Sequence, residues 1–256
     1  MRSPLPGPFL SLALLFALVG TLAPVLAQAQ VQLRFEGRTQ RMDFTGPAQA
    51  SNEVNVVRVM PRRGRISNAP AGLTRIRIVE KSDEPCALRA TFEQLVPPVR
   101  DTPAPRGMVV IDLPNTSSGC DADDNSGRIE LKAADVAPAG RFLSSVGTCT
   151  NNRSNDRGLL VKGLAGTAFG INTDGTTTGV AALSPDEQPS CEESNYTYSQ
   201  CPNRQVAIGL DVKLKVIGGR QSITGLRLRC RAFGPVPEGQ FELRRSDDPP
   251  RVMTLP

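Results

Sequence analysis

Apolar positions in this chain recur at every second residue. Val212, Leu214 and Val216 alternate with Lys213 and Lys215. Leu226, Leu228 and Cys230 alternate with Arg227, Arg229 and Arg231, and Ile76 and Ile78 alternate with Arg75 and Arg77. Successive side chains of a strand point to opposite faces, so this pattern predicts half-buried antiparallel strands with one face on a core and one in water. Further strands are predicted at 54–60, 108–113, 127–132, 159–164 and 206–210. Turn-forming clusters such as Asn115-Thr-Ser-Ser-Gly119 and Thr173-Asp-Gly175 separate them. Many short strands with frequent turn signals predict an all-β fold of antiparallel sheets, as a sandwich, a barrel or a prism. A Gly-Leu pair before a predicted strand recurs at Gly72, Gly158 and Gly225, a faint echo of threefold repetition.

The ends read differently. Residues 9–19 form an apolar run after Arg2, and Ala27-Gln28-Ala29 is a small-x-small site. Together they predict a signal peptide over residues 1–29 that is cleaved, giving an exported, periplasmic or extracellular protein. The rival reading, a membrane anchor, needs a longer span than this run supplies. The chain is therefore not expected to be an integral membrane protein. Residues 30–235 form the all-β domain, and residues 236–256 an irregular C-terminal tail. The Pro-rich stretch 97–105 is either a long loop or a divider between two subdomains.

Composition narrows the chemistry. The 256 residues contain no His and no Trp, which excludes His-dependent nucleophilic catalysis and His-ligated zinc. The formal charge is +5, and only five of the thirty cations are Lys. Cys86, Cys120, Cys149, Cys191, Cys201 and Cys230 all follow the leader, and none forms a Cys-x-x-Cys pair. In an oxidising compartment six cysteines predict three disulfides, with fifteen connectivities open. The expected one is sequential: Cys86–Cys120, Cys149–Cys191 and Cys201–Cys230. Each bridge would close a loop of about 30–40 residues, worth roughly 3–4 kcal/mol in the loop-entropy account.

The most distinctive stretch runs from Cys201-Pro through Gly209, Leu214-Lys-Val216 and Gly218-Gly219 to Gly225-Leu-Arg-Leu-Arg-Cys230. It reads as adjacent strands whose ends a disulfide ties, with Gly209 marking a bulge or a close backbone approach. This stretch resembles the repeat of vitelline-membrane outer-layer proteins. It departs from that repeat at Gly218-Gly-Arg-Gln221, where the family carries Gly-Asp-Asp-Thr, and in lacking tryptophan. The resemblance implies a β-prism of three Greek-key sheets, or a related Greek-key sandwich, stapled by disulfides. It further implies an extracellular binding or structural role, with carbohydrate as the ligand class.

Three constellations are candidate sites. Gly170-Ile-Asn-Thr-Asp174 has the Gly-x-x-x-Asp spacing that jacalin-type lectins use at a sugar, but Gly119-Cys-Asp-Ala-Asp123 has it too, and a plain hairpin turn also accounts for Asp174-Gly175. Asp121, Asp123, Asp124 and Asn125 cluster oxygens as Ca²⁺ would require, though position twelve of such a loop is Lys132. Lys213 and Lys215, with Arg227, Arg229 and Arg231, line strand faces that could meet an anionic polymer. A solvated face that discourages edge pairing is the other account of them. No cofactor is expected. Nucleic acid is not an expected partner, because stacking residues are few. The expected function is non-catalytic carbohydrate recognition, with an anionic polysaccharide as one form of it. Its alternatives are a structural or protein-interaction module and a glycoside hydrolase working with carboxylates alone.

Overall fold

The computed structural model describes residues 31–46, 55–61, 70–97, 108–113, 120, 127–136, 141–151, 159–191, 196–217 and 219–236. The leader, the Pro-rich stretch beyond Pro97, the oxygen cluster at 121–125 and the tail beyond Val236 lie outside them. Twelve strands are described: β1 (Leu33–Arg41), β2 (Asn55–Val59), β3 (Ala71–Lys81), β4 (Glu84–Gln94), β5 (Met108–Leu113), β6 (Arg128–Lys132), β7 (Arg141–Thr150), β8 (Val161–Gly170), β9 (Ala181–Glu187), β10 (Thr197–Gln200), β11 (Gln205–Ile217) and β12 (Arg220–Pro235). They form three antiparallel four-stranded sheets: sheet I in the order β1-β12-β11-β2, sheet II β10-β7-β8-β9, and sheet III β5-β4-β3-β6. This is a disulfide-bonded, all-β, β-prism architecture.

Sheets II and III each use four successive strands in the Greek-key order, with the fourth strand returning beside the first. Sheet I repeats that order only when β11 and β12 are counted first and β1 and β2 last, so both halves of the chain close it. The threefold relation extends to the register. In each sheet the first central strand carries a bulge at its fourth residue, between Leu73 and Arg75, between Leu143 and Ser145, and between Ala207 and Gly209. The second residues of these strands are Gly72, Phe142 and Val206, and they meet. A Cβ on Gly72 would lie 2.6 Å from Phe142 Cδ1 and 2.6 Å from Val206 Cγ2. Two side chains fill the space at this junction, so the third must be glycine.

Gly72→Val is accordingly expected to overpack the junction, since Phe142 and Val206 are fully buried. A loss of about 1–3 kcal/mol should appear as a lower urea midpoint with an unchanged slope. Gly72 and Gly225, the two described glycines of the Gly-Leu echo, serve different ends. Gly72 makes room at the junction, whereas Gly225 of β12 makes room for the carbonyl of Thr45, which runs beside that strand. Gly158 lies outside the described residues.

Residues of all three sheets share one apolar cluster, with Leu73, Ile76 and Ile78 meeting Leu143, Val146, Leu164, Leu210, Val212, Leu226 and Leu228. A second cluster, with Phe142, Phe169 and Phe233 in ring contact, lies beside it. Burial alternates as the period-two reading expects at 212–215 and 226–228, whereas 206–212 of β11 and 222–226 of β12 are buried on both faces, Arg229 is buried and Val216 is 56% exposed. Gly209 sits at the bulge and also at a close approach, since a Cβ there would meet Met60 Cβ at 2.8 Å.

Disulfides join Cys86 to Cys120, Cys149 to Cys191 and Cys201 to Cys230, with Cα separations of 6.1, 5.8 and 5.5 Å. Sheets II and III also meet through charge. Lys162 of β8 has no exposed surface, and its ammonium donates to both Glu80 oxygens at 3.1 and 3.2 Å. It also donates to the Asp83 carbonyl and to Asp83 Oδ1, both at 2.7 Å. Burial holds the Glu80 carboxyl above the ordinary range, against the opposing pull of Lys162.

Candidate functional site

On the outer face of sheet I, β11 and β12 place Asp211 directly opposite Arg227, and β2 brings Arg58 to its other side. Asp211 is buried. Arg227 Nη2 donates to its Oδ2 at 2.8 Å, and Arg229 Nη1 donates to Oδ1 and Oδ2 at 3.0 and 3.1 Å. Arg58 Nε lies 3.9 Å from Oδ1. The row expected to line this face is thus paired in part within the fold. Arg229 is itself buried, and the acid that holds it sits on the neighbouring strand, where a one-strand pattern does not show it.

The face is still cationic. Residues 42–46 run on beside β12, with Met42 N–H donating to Leu228 O at 3.1 Å and Thr45 N–H to Leu226 O at 2.8 Å. That fixes Phe44 against the sheet. The Arg227 guanidinium lies 4.2 Å from the Phe44 ring centroid and the Lys213 ammonium 4.9 Å from it. Both cations face the negative ring quadrupole. Burial first, and Arg227 second, hold the Lys213 ammonium below the usual lysine range. Lys215 follows on the same strand. Arg231 is diverted, donating to Gly37 O at 3.1 Å and lying 5.2 Å from the Phe35 centroid.

Sheet III uses the same device. The Arg75 and Arg77 row converges on Glu130 of β6, with Arg75 donating from Nε, Arg77 Nε at 3.2 Å and Lys132 Nζ at 3.2 Å. Burial opposes ionisation of Glu130, but the hydrogen bonds from Arg75, Lys132 and Arg77 overcome it and bring the carboxyl to about 2. Because this folded-state value is depressed, the associated stability is fully present above about pH 4.5 and is lost as pH falls toward 2. Denaturant midpoints measured across that window should decline with acid, and Glu130→Gln should flatten the decline while lowering the neutral-pH midpoint.

Gly170 ends β8, and its N–H donates to Thr178 Oγ1 at 2.6 Å. Asp174 stands in the following turn, where Gly175 has φ +81°. Its Oδ1 accepts from the Thr176 N–H at 2.9 Å and the Thr176 hydroxyl at 2.6 Å, and these bonds hold the carboxyl below its ordinary value. The motif therefore forms a closed hairpin turn presenting one exposed, ionised acid. Gly170 faces Thr178 across the hairpin rather than joining Asp174. No group of three or more His, Cys, Asp or Glu among the described residues could hold a metal ion. No described helix is long and apolar enough to cross a membrane.

One surface was not singled out from the sequence. The chain has two tyrosines, Tyr196 and Tyr198, and both lie at β10 on the outer face of sheet II. Their i, i+2 spacing was the available signal. Their ring centroids are 6.1 Å apart at an interplanar angle of 30°.

The three Greek-key sheets define the class as a β-prism. No protein-family model matches the chain, and no curated protein matches its sequence. Among solved structures it is similar to the Calystegia sepium agglutinin, at 12% identity over 75% of this chain and 98% of that one, with a TM-score of 0.36. Calsepa lectin in complex with a biantennary N-glycan gives 12% identity over 75% and 97%, also at 0.36. The V. cholerae biofilm matrix protein Bap1 gives 7% identity over 79% of this chain and 24% of that chain, at 0.37.

Proposed function

We propose that this is an exported, non-catalytic binding protein that recognises acidic polysaccharide through the outer face of sheet I. The observation that carries the reading is the stack of Lys213 and Arg227 on Phe44. Two cations share one ring, and Asp211, the acid of this cluster, already accepts from Arg227 and Arg229. A carboxylate or sulfate entering here would relieve the repulsion between Lys213 and Arg227. The planar guanidinium suits paired contacts to such groups. Three disulfides are the chemistry of an oxidising compartment and agree with export. The resemblance of 201–230 to vitelline-membrane outer-layer repeats agrees with a β-prism acting outside the cytoplasm. The buried acids Glu80, Glu130 and Asp211 are each held by cations within the fold, which supports binding over hydrolysis.

The test is a panel of acidic and neutral glycans probed at low and physiological salt. Retention of an acidic glycan at physiological salt, weakened by Lys213→Ala, is the expected result. If no acidic glycan is retained at either salt, the structural or protein-interaction module takes its place.

A further inference from the structure

The outer face of sheet II differs in kind from that of sheet I. Tyr198 stands on the edge strand β10 opposite Gly147 of β7. A Cβ on Gly147 would fall 2.7 Å from Tyr198 Cδ1, so the ring lies flat on the glycine, and Tyr198 stays 54% exposed. Tyr196 reaches the far side of the sheet. A Cβ on Gly163 of β8 would meet its hydroxyl at 2.6 Å, and that hydroxyl donates to Glu187 Oε2 on β9 at 3.1 Å. The two rings thus span the sheet from β10 to β9. Covering a bare glycine accounts for one flat ring. Gly163 receives Tyr196 in the same way, but covering glycines accounts neither for the exposed face that Tyr198 keeps nor for the bond from Tyr196 to an exposed carboxylate.

The electrostatics select among ligands. Burial, then the hydrogen bond to Glu187, push the Tyr196 phenol well above its ordinary value, so it stays a neutral donor. The charged groups that act on it are Glu187 and Asp186, both acidic. An anionic polymer is repelled here, whereas sugar hydroxyls can donate to Glu187 and the apolar faces of sugar rings can lie on the tyrosines.

We propose that Tyr198, Tyr196 and Glu187 form a second binding platform, for two adjacent rings of a neutral polysaccharide. It shares with the sheet I reading the premise that the protein binds carbohydrate, but it takes a different ligand on a different face. Affinity gel electrophoresis of the full disulfide-bonded chain tests it, with a neutral β-glucan, galactomannan and dextran as probes and alginate as the acidic comparison. At least one neutral polymer should retard the protein equally at low and high salt. Tyr198→Ala should weaken that retardation roughly tenfold, Tyr198→Phe should preserve it, and Lys213→Ala should leave it unchanged. A thermal melt of each variant separates lost binding from lost fold. Retardation by alginate alone, abolished by Lys213→Ala, would overturn the platform and leave the sheet I reading standing. A folded Tyr198→Ala protein that binds a neutral polymer as well as the parent does would also overturn it.

Discussion

Lys162→Ala should destabilise the protein by roughly 3–5 kcal/mol, the range for removing one partner of a buried ion pair. The ammonium is fully buried and makes its bonds to Glu80 and to Asp83, all of which lie on the β3–β4 hairpin. Without it, Glu80 is left in a site whose burial already raises its carboxyl. Glu80 would then take up a proton on folding, so the variant should lose stability as pH rises above the ordinary glutamate value. Urea titrations at several pH values check both points. The double variant Lys162→Met, Glu80→Leu removes both charges, and it should recover much of the loss. A cost near zero for Lys162→Ala would mean that the pair does not couple sheets II and III.

Replacing Cys201 and Cys230 together with Ala should cost roughly 3.5 kcal/mol, from the freedom returned to the unfolded chain. The sequence separation is 29, and both cysteines are buried in the main apolar cluster. The bridge ties the entry to β11 to the middle of β12, the two central strands of sheet I. Against a typical total of 5–15 kcal/mol, that fraction is large. Guanidinium unfolding of the double variant, beside the parent under oxidising conditions, measures it. An equal midpoint would show that sheet I holds its hairpin without the bridge.

Strands with one wet face were legible in the sequence, because alternation exists only where the two faces differ. β5 and the runs 212–215 of β11 and 226–228 of β12 belong to this group. β4 was not legible. It is buried on both faces over most of its length, and Pro85 near its start reads as a breaker. β7 was hidden for another reason: its Ser, Thr and Gly residues carry little hydrophobic contrast although nearly all are buried. The charged rows were legible as rows, but their partners were not. Asp211 and Glu130 become neighbours of the arginines only through cross-strand register, which one strand's pattern does not contain. The order of cysteines along the chain did match the bridges, since each pair closes around one sheet. The tyrosine platform needed the two glycines to be placed beneath it, and sequence spacing relates neither Gly147 nor Gly163 to β10.

The circular order of sheet I sets a timetable. As the chain is synthesised from its N-terminus, sheets II and III can each close as soon as their own four successive strands have emerged. β1 and β2 come first yet have nothing to pair with until β11 and β12 arrive, more than a hundred residues later. Contacts of such long sequence separation are slow to form, and a waiting strand edge is open to wrong partners. The cationic face is therefore the last part of the molecule to be assembled, and a nascent chain that stops short of β12 has no such face.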